Sequence, residues 1–216
     1  MPQSRRYKKK KSAGKAILAW IIVLAILAAA VFVFVSVFYE DAKKKLDEMN
    51  YPRTYSTYVE KAAKDYDLDP ALIYAVIHTE SGFDPKAESG VGAKGVMQMM
   101  PSSFEWLQEQ RGCAGQYTED DLFDPEICID YGSYLLKYFY DYYGTERSTI
   151  AAYNAGFVVS DWLNDTNYSS DGKNLDSIPY PETENYVDKV ESAKEMYIKL
   201  LSLIHISEPT RHAQIS

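Results

Sequence analysis

Residues 16–39 carry no charged side chain; they run from Ala16, Ile17, Leu18, Ala19 and Trp20 to Val37, Phe38 and Tyr39. About 20 such residues cross the hydrocarbon core of a bilayer as a helix. A cleaved signal sequence is the competing reading. Its apolar region is usually about 7–15 residues and ends on small residues. Here the run is longer and ends on bulky Val, Phe and Tyr, so an uncleaved anchor is predicted. Residues 1–15 hold seven of the 23 basic residues (Arg5, Arg6, Lys8, Lys9, Lys10, Lys11 and Lys15) and none of the 31 acids. The positive-inside rule places this arm in the cytoplasm and the bulk of the chain on the far side. Lys43, Lys44 and Lys45 weaken the asymmetry, but Glu40 and Asp41 precede them and the first cluster is larger.

The formal net charge of −8 therefore divides into +7 on the arm and −15 on the rest of the 216 residues. A domain that acidic is unsuited to gripping phosphates, which needs clustered Lys and Arg, so no nucleic-acid partner is expected. Anionic lipid suits the arm better, because the arm abuts the apolar run. Beyond the anchor, residues 40–53 read as a charged juxtamembrane linker and residues 54–200 as one domain. Residues 201–216 resemble the in-frame translation of a transposase-type sequencing-library adapter, with a native disordered end as the alternative. They are excluded from fold reasoning. With His205 and His212 set aside, His78 is the only histidine. The two cysteines, Cys113 and Cys128, lack ligand spacing, so neither a metal nor a cofactor is expected. One disulfide between helices and two free or buried thiols are both compatible with the composition.

The domain reads as mainly helical. Residues 54–66 have Tyr55, Tyr58, Val59 and Ala62 at helical spacing. Asp69-Pro70 and Asp124-Pro125 each announce a helix, since Asp caps and Pro fits the first helical position. A further helix begins at Met100-Pro101-Ser102, Ser148 is expected to cap a short one through Tyr153, and residues 181–200 form the last. Residues 84–95 are rich in Gly and Ser and read as a loop or a small β hairpin. Residues 164–177 are a polar loop. No long strand-period run occurs.

Three segments could carry chemistry. Leu72, Val76 and Glu80 are four apart on the helix that starts at Pro70, so Glu80 extends an apolar stripe. If that stripe faces the core, the carboxyl is desolvated at the negative end of a helix, and both effects hold it protonated near neutral pH, as a general acid requires. If the helix end frays, Glu80 turns into solvent instead. The second segment, residues 92–101, combines glycines that allow tight turns, the amide of Gln98, and Met97, Met99 and Met100. It reads either as an adaptable ligand surface or as a hairpin with methionines in the core. In the third, Tyr153 and Asn154 are adjacent polar groups in a small, apolar helix end. Tyr153 offers a flat face to a sugar ring or is a buried core tyrosine.

Taken in order, Glu80-Ser81-Gly82-Phe83-Asp84-Pro85, then Ser89, then Gly95-Val96-Met97-Gln98-Met99-Met100-Pro101, then Ala151-Ala152-Tyr153-Asn154-Ala155-Gly156, then Tyr180-Pro181-Glu182-Thr183-Glu184-Asn185-Tyr186-Val187 strongly resemble the soluble lytic transglycosylase catalytic domain. The resemblance covers roughly residues 55–200. It implies a lysozyme-like α fold and cleavage of peptidoglycan glycan strands. It further implies that Glu80 is the catalytic acid and base, and that Ser89, Gln98, Met100, Tyr153, Asn154 and Tyr186 line the substrate cleft. In this family one Glu does the work of the usual glycosidase pair. It protonates the glycosidic oxygen, then deprotonates the muramyl C6 hydroxyl, which closes a 1,6-anhydro ring. The implied place of work is the cell-wall side of the membrane. A goose-type muramidase on the same fold, or a non-catalytic wall-binding scaffold, are the alternatives. One departure is Phe157, where the family usually has proline. Asp84, ahead of Pro85, reads as a turn residue rather than a second catalytic acid.

Overall fold

The structure, a computed structural model, describes residues 13–207, with side chains described from 17 to 202. Most of the basic arm and the end of the adapter-like tail lie outside the described residues. Helix α1, Ala13–Asn50, runs without interruption through the apolar stretch and most of the residues expected to link it to the domain. Its side chains from Ile17 to Tyr39 are exposed almost throughout. At 1.5 Å per residue the helix is about 57 Å long, nearly twice the ~30 Å of a bilayer core. Among the described residues, those up to Asn50 form one unit and those from Tyr51 onward another.

The second unit starts with Tyr51 and Pro52. The Tyr51 ring lies tilted against His78, 4.9 Å between centroids, and the Pro52 carbonyl accepts from the Tyr197 hydroxyl at 3.0 Å. Helices α2 (Ser56–Tyr66), α3 (Pro70–Ser81), α4 (Pro101–Gln110), α5 (Pro125–Tyr143), α6 (Glu146–Ala155), α7 (Val159–Asn164) and α8 (Pro181–Ser207) complete it. Both Asp-Pro starts behave as their chemistry dictates. Asp69 accepts from the Ala71 amide at 2.9 Å, and Asp124 from the Glu126 amide at 2.8 Å. Gly144 ends α5 in the left-handed conformation.

The core is built on α3. Its buried face carries Leu72, Ile73, Val76 and Ile77, and α8 runs along it with Val187, Val190, Ala193 and Tyr197. Helix α5 packs against α2 and α6. Because α3 is buried on nearly every side, where it ends determines where its last residues point.

Two expectations are corrected. The small β hairpin is not formed. Among the described residues, two isolated antiparallel bridges, Glu88 with Lys94 and Lys94 with Met99, are all the β pairing found between 84 and 100. Positive φ values at Gly92, Gly95 and Gln98 reverse the chain too often for strands to extend. The short helix expected after Ser148 starts earlier, at Glu146, because Thr145 adopts the extended cap conformation and its hydroxyl accepts from the Ser148 amide. Helix α7 is unanticipated. It buries Val159, Trp162 and Leu163, and the loop after it clips to the core through Leu175 and Ile178.

Candidate active site

Helix α3 stops one residue past Glu80 for local reasons. Gly82 takes a left-handed conformation and its amide bonds back to the His78 carbonyl at 3.1 Å; Phe83 comes next, at φ 71°. Two successive left-handed residues turn the chain sharply away. Ser81 locks this turn. Its hydroxyl donates to the Val96 carbonyl at 2.8 Å and accepts from the Phe83 amide at 3.1 Å, tying the end of α3 to the glycine-rich loop.

Of the two placements the periodicity left open for Glu80, the inward one is realised. Its carboxyl is largely buried, and burial pushes it up to about 7 from an ordinary 4.5. The Tyr186 hydroxyl donates to Glu80 Oε1 at 2.7 Å, which pulls the other way and only partly offsets the desolvation. Tyr186 comes from the second turn of α8. Tyr153 comes from the end of α6, and its hydroxyl donates to the Met97 carbonyl at 2.9 Å. Burial first, and the Glu80 charge second, push both tyrosine hydroxyls well above their ordinary value. Both therefore stay protonated and act as donors at any physiological pH. A carboxyl with neutral phenols for company and no cation is poised to give a proton near neutrality and to take one back.

The loop from Asp84 to Met100 forms the neighbouring wall. Gly95, at φ 74°, admits no side chain, since a Cβ there would collide with the Leu122 carbonyl and the Cys128 sulfur. Gln98 sits at φ 47°, a strained value for a residue with a Cβ, and its amide nitrogen donates to the Ala87 and Gly95 carbonyls at 3.0 Å each. That nitrogen therefore holds the loop together. Ser89 Oγ accepts from the Ala93 amide at 2.9 Å and closes a turn in the same loop. Of the three methionines, Met97 and Met99 are core residues and only Met100 is exposed. Cys128, buried beneath Met97, accepts from its amide at 3.4 Å, and burial pushes the thiol up to about 12. It is a packing residue. Cys113 lies against the Tyr131 hydroxyl instead, and the two cysteines are unpaired.

The structure thus brings Glu80, Tyr153 and Tyr186 together and places Ser89, Gln98 and Met100 on the adjoining loop. Asn154 joins them through a residue that sequence reasoning missed. The hydroxyl of Thr183, 3% exposed, donates to Asn154 Oδ1 at 2.7 Å. Thr183 stands three residues before Tyr186, so this bond fixes the start of α8, which carries the Glu80 partner, to the end of α6, which carries Tyr153. The signal was present as the middle of Pro181-Glu182-Thr183-Glu184, but a threonine in a first helical turn is ordinarily a solvent-facing residue. Asp84 is exposed and its carboxyl accepts from the Lys86 amide at 2.9 Å, the turn expected of it. Among the described residues, no group of three or more His, Cys, Asp or Glu is placed to hold a metal ion.

The site is thus one desolvated carboxyl at a helix end, beside a glycine-rich wall and two tyrosines, in a mainly helical domain. A family model described as Transglycosylase SLT domain matches residues 57–175, more than half of the chain, and the chain belongs to that family. It is 32% identical over 146 residues to the soluble lytic murein transglycosylase of Escherichia coli K12, covering 66% of this chain and 23% of that protein. It is also 32% identical over 167 residues to the membrane-bound lytic murein transglycosylase C of Actinobacillus succinogenes, covering 67% of this chain and 47% of that one. Among solved structures, an inactive Glu-to-Gln mutant of the lytic transglycosylase Slt from Pseudomonas aeruginosa superposes with a TM-score of 0.63 at 30% identity, over 72% of this chain and 25% of that one. The chain thus spans under half the length of each of these proteins.

Proposed function

We propose that this protein is a membrane-anchored peptidoglycan lytic transglycosylase. It cleaves the bond between N-acetylmuramic acid and N-acetylglucosamine without water and leaves 1,6-anhydro-muramyl ends. The observation that carries this reading is the Glu80 carboxyl, buried, pushed up to about 7, and held by a neutral Tyr186 hydroxyl. The curated relatives, named as lytic murein transglycosylases, support the substrate class.

In the first step protonated Glu80 gives its proton to the glycosidic oxygen as the bond to C1 breaks, and the leaving sugar departs as an alcohol. Positive charge develops at C1, where the substrate's own acetamido oxygen stabilises it. Glu80, now a carboxylate, is a buried anion whose hydrogen bond from Tyr186 strengthens as charge appears. In the second step it takes the proton from the muramyl C6 hydroxyl while that oxygen bonds to C1. The acid is restored and no water is consumed. An internal hydroxyl held over C1 benefits from high effective molarity, so a second positioned carboxylate is unnecessary. Ser89, Gln98 and Met100 on the loop wall and Tyr153 and Asn154 opposite are the residues proposed to seat the sugars. No metal or cofactor enters the scheme.

The anchor is α1. Its apolar stretch, within Ile17–Asn50, has a mean hydropathy of 3.2 in the most apolar window. With the basic arm inside, the catalytic domain works on the wall side of the membrane. The test is Glu80→Gln in the full chain, assayed on purified peptidoglycan in detergent. The amide keeps the shape and loses the transferable proton, so the rate should fall at least 10²–10⁴-fold while helical circular dichroism and cooperative melting persist. Full activity in that variant would remove the assignment.

A further inference from the structure

Four rings gather on the surface just beyond the candidate cleft. Phe157 meets Trp106 at 6.2 Å, Tyr138 at 6.1 Å and Tyr142 at 5.9 Å, each edge to face, and Trp106 meets Tyr138 at 4.9 Å. Yet Phe157 is 48% exposed and Tyr142 59%. A half-exposed phenyl ring is unfavourable in water, and the backbone does not need it. Gly156 makes the turn with φ 74° and ψ −153°, and a small side chain would satisfy the next position.

The patch lies near Asn154 along the chain. Phe157 stands three residues after Asn154, at most about 10 Å of chain. Trp106 lies on α4, the helix whose cap is the exposed cleft residue Met100. Helices on both sides of the patch therefore emerge from residues proposed to touch the sugars. A polymeric substrate held at Glu80 extends past the two rings being separated, and surface near Met100 and Asn154 is within its reach.

Resting on the transglycosylase reading, we propose that Phe157, Trp106, Tyr138 and Tyr142 form an additional subsite for the glycan strand, on which a sugar remote from the cleaved bond stacks its apolar C–H face. Edge-to-face packing holds the platform rigid before the ligand arrives, so little ordering is needed on binding. The platform rewards length, making the enzyme favour strands over short fragments.

The experiment uses the full chain in detergent, with Glu80→Gln to hold substrate uncleaved. Binding of long peptide-free glycan strands and of a muramyl-terminated tetrasaccharide is measured for Phe157, Phe157→Ala, Phe157→Tyr and Trp106→Ala. Phe157→Ala should weaken strand binding about 5- to 10-fold and leave the tetrasaccharide unchanged. Phe157→Tyr should restore it. In the active chain the same change should raise KM on strands with kcat intact. Equal binding of strands by Phe157 and Phe157→Ala would overturn the platform while leaving the Glu80 assignment standing. Loss of a dimer in Phe157→Ala, seen by sedimentation, would also overturn it, since a second copy would then be the occupant. Absence of any cleavage by the unmodified chain would instead overturn the activity on which the platform rests.

Discussion

Two acids in this domain keep tyrosines for company and do opposite things. Asp130, on α5, accepts from the Arg111 guanidinium at 2.5 Å and from the Tyr66 hydroxyl at 2.5 Å; Arg111 also lies over the rings of Tyr131 at 4.0 Å and Tyr134 at 4.3 Å. Glu80 has a phenol and, among the described residues, no cation. With a guanidinium on one carboxylate oxygen and a phenol on the other, Asp130 is a strut. Without one, burial lifts the Glu80 carboxyl to about 7 and makes a proton available. The difference lies in the partner and in the depth of burial. It separates a site built for stability from one built for chemistry, and neutralising each acid in turn should give opposite results.

The largest effect should come from Glu80→Gln, and it has a second half beyond lost activity. Between its ordinary 4.5 and about 7, folded Glu80 holds a proton that the unfolded chain has released. Stability therefore falls as pH rises through that window, and the full cost is present above it. Glu80→Gln should melt higher than the unmodified chain at pH 8, by a ceiling of about 3 kcal/mol, and no higher at pH 4. Calorimetry at the two pH values reads this directly. Asp130→Asn should do the reverse. It leaves Arg111 half-buried without its counter-charge, a loss of about 2–3 kcal/mol at neutral pH. Activity per folded molecule, and its pH profile, should stay as they were.

Tyr186→Phe is next. It removes the donor that lowers the Glu80 value, so the alkaline limb of the rate profile should move to higher pH. Turnover should fall about tenfold, the loss of roughly one hydrogen bond to a developing carboxylate. A drop in rate with no shift of the limb would mean that Tyr186 only packs. Thr183→Val should cost about 1 kcal/mol and weaken the same contact at one remove, while Thr183→Ser keeps both. The smallest effect is expected at Asp84. Asparagine preserves its turn, so Asp84→Asn should change stability by less than ~0.5 kcal/mol and leave the rate alone. A hundredfold loss there would reveal a second carboxyl at work.

Features legible along the chain are those that neighbouring residues determine. Asp69-Pro70 and Asp124-Pro125 marked helix starts because cap and ring geometry act within three residues. The four-residue spacing of Leu72, Val76 and Glu80 set the carboxyl in line with the apolar stripe but left open whether it faced the core. The bond from Tyr186 spans 106 positions and that from Thr183 to Asn154 spans 29, and no periodicity encodes them. Only the family resemblance pointed to Tyr186, and nothing pointed to Thr183. The hairpin failed because glycines that permit a β turn equally permit the repeated reversals seen between 84 and 100. Between Thr145 and Ser148, two hydroxyl residues of near-equal capping propensity, the choice was made by where α6 meets the core.

A single buried carboxyl is proposed to act twice on one sugar and to admit no water. Mass analysis of the fragments that the full chain releases from purified peptidoglycan tests this without intermediate assumptions. Muramyl ends lighter by one water than those of a lysozyme digest, and inert to borohydride, are the expected result. Fragments that carry a reducing end would contradict it and make this protein a muramidase.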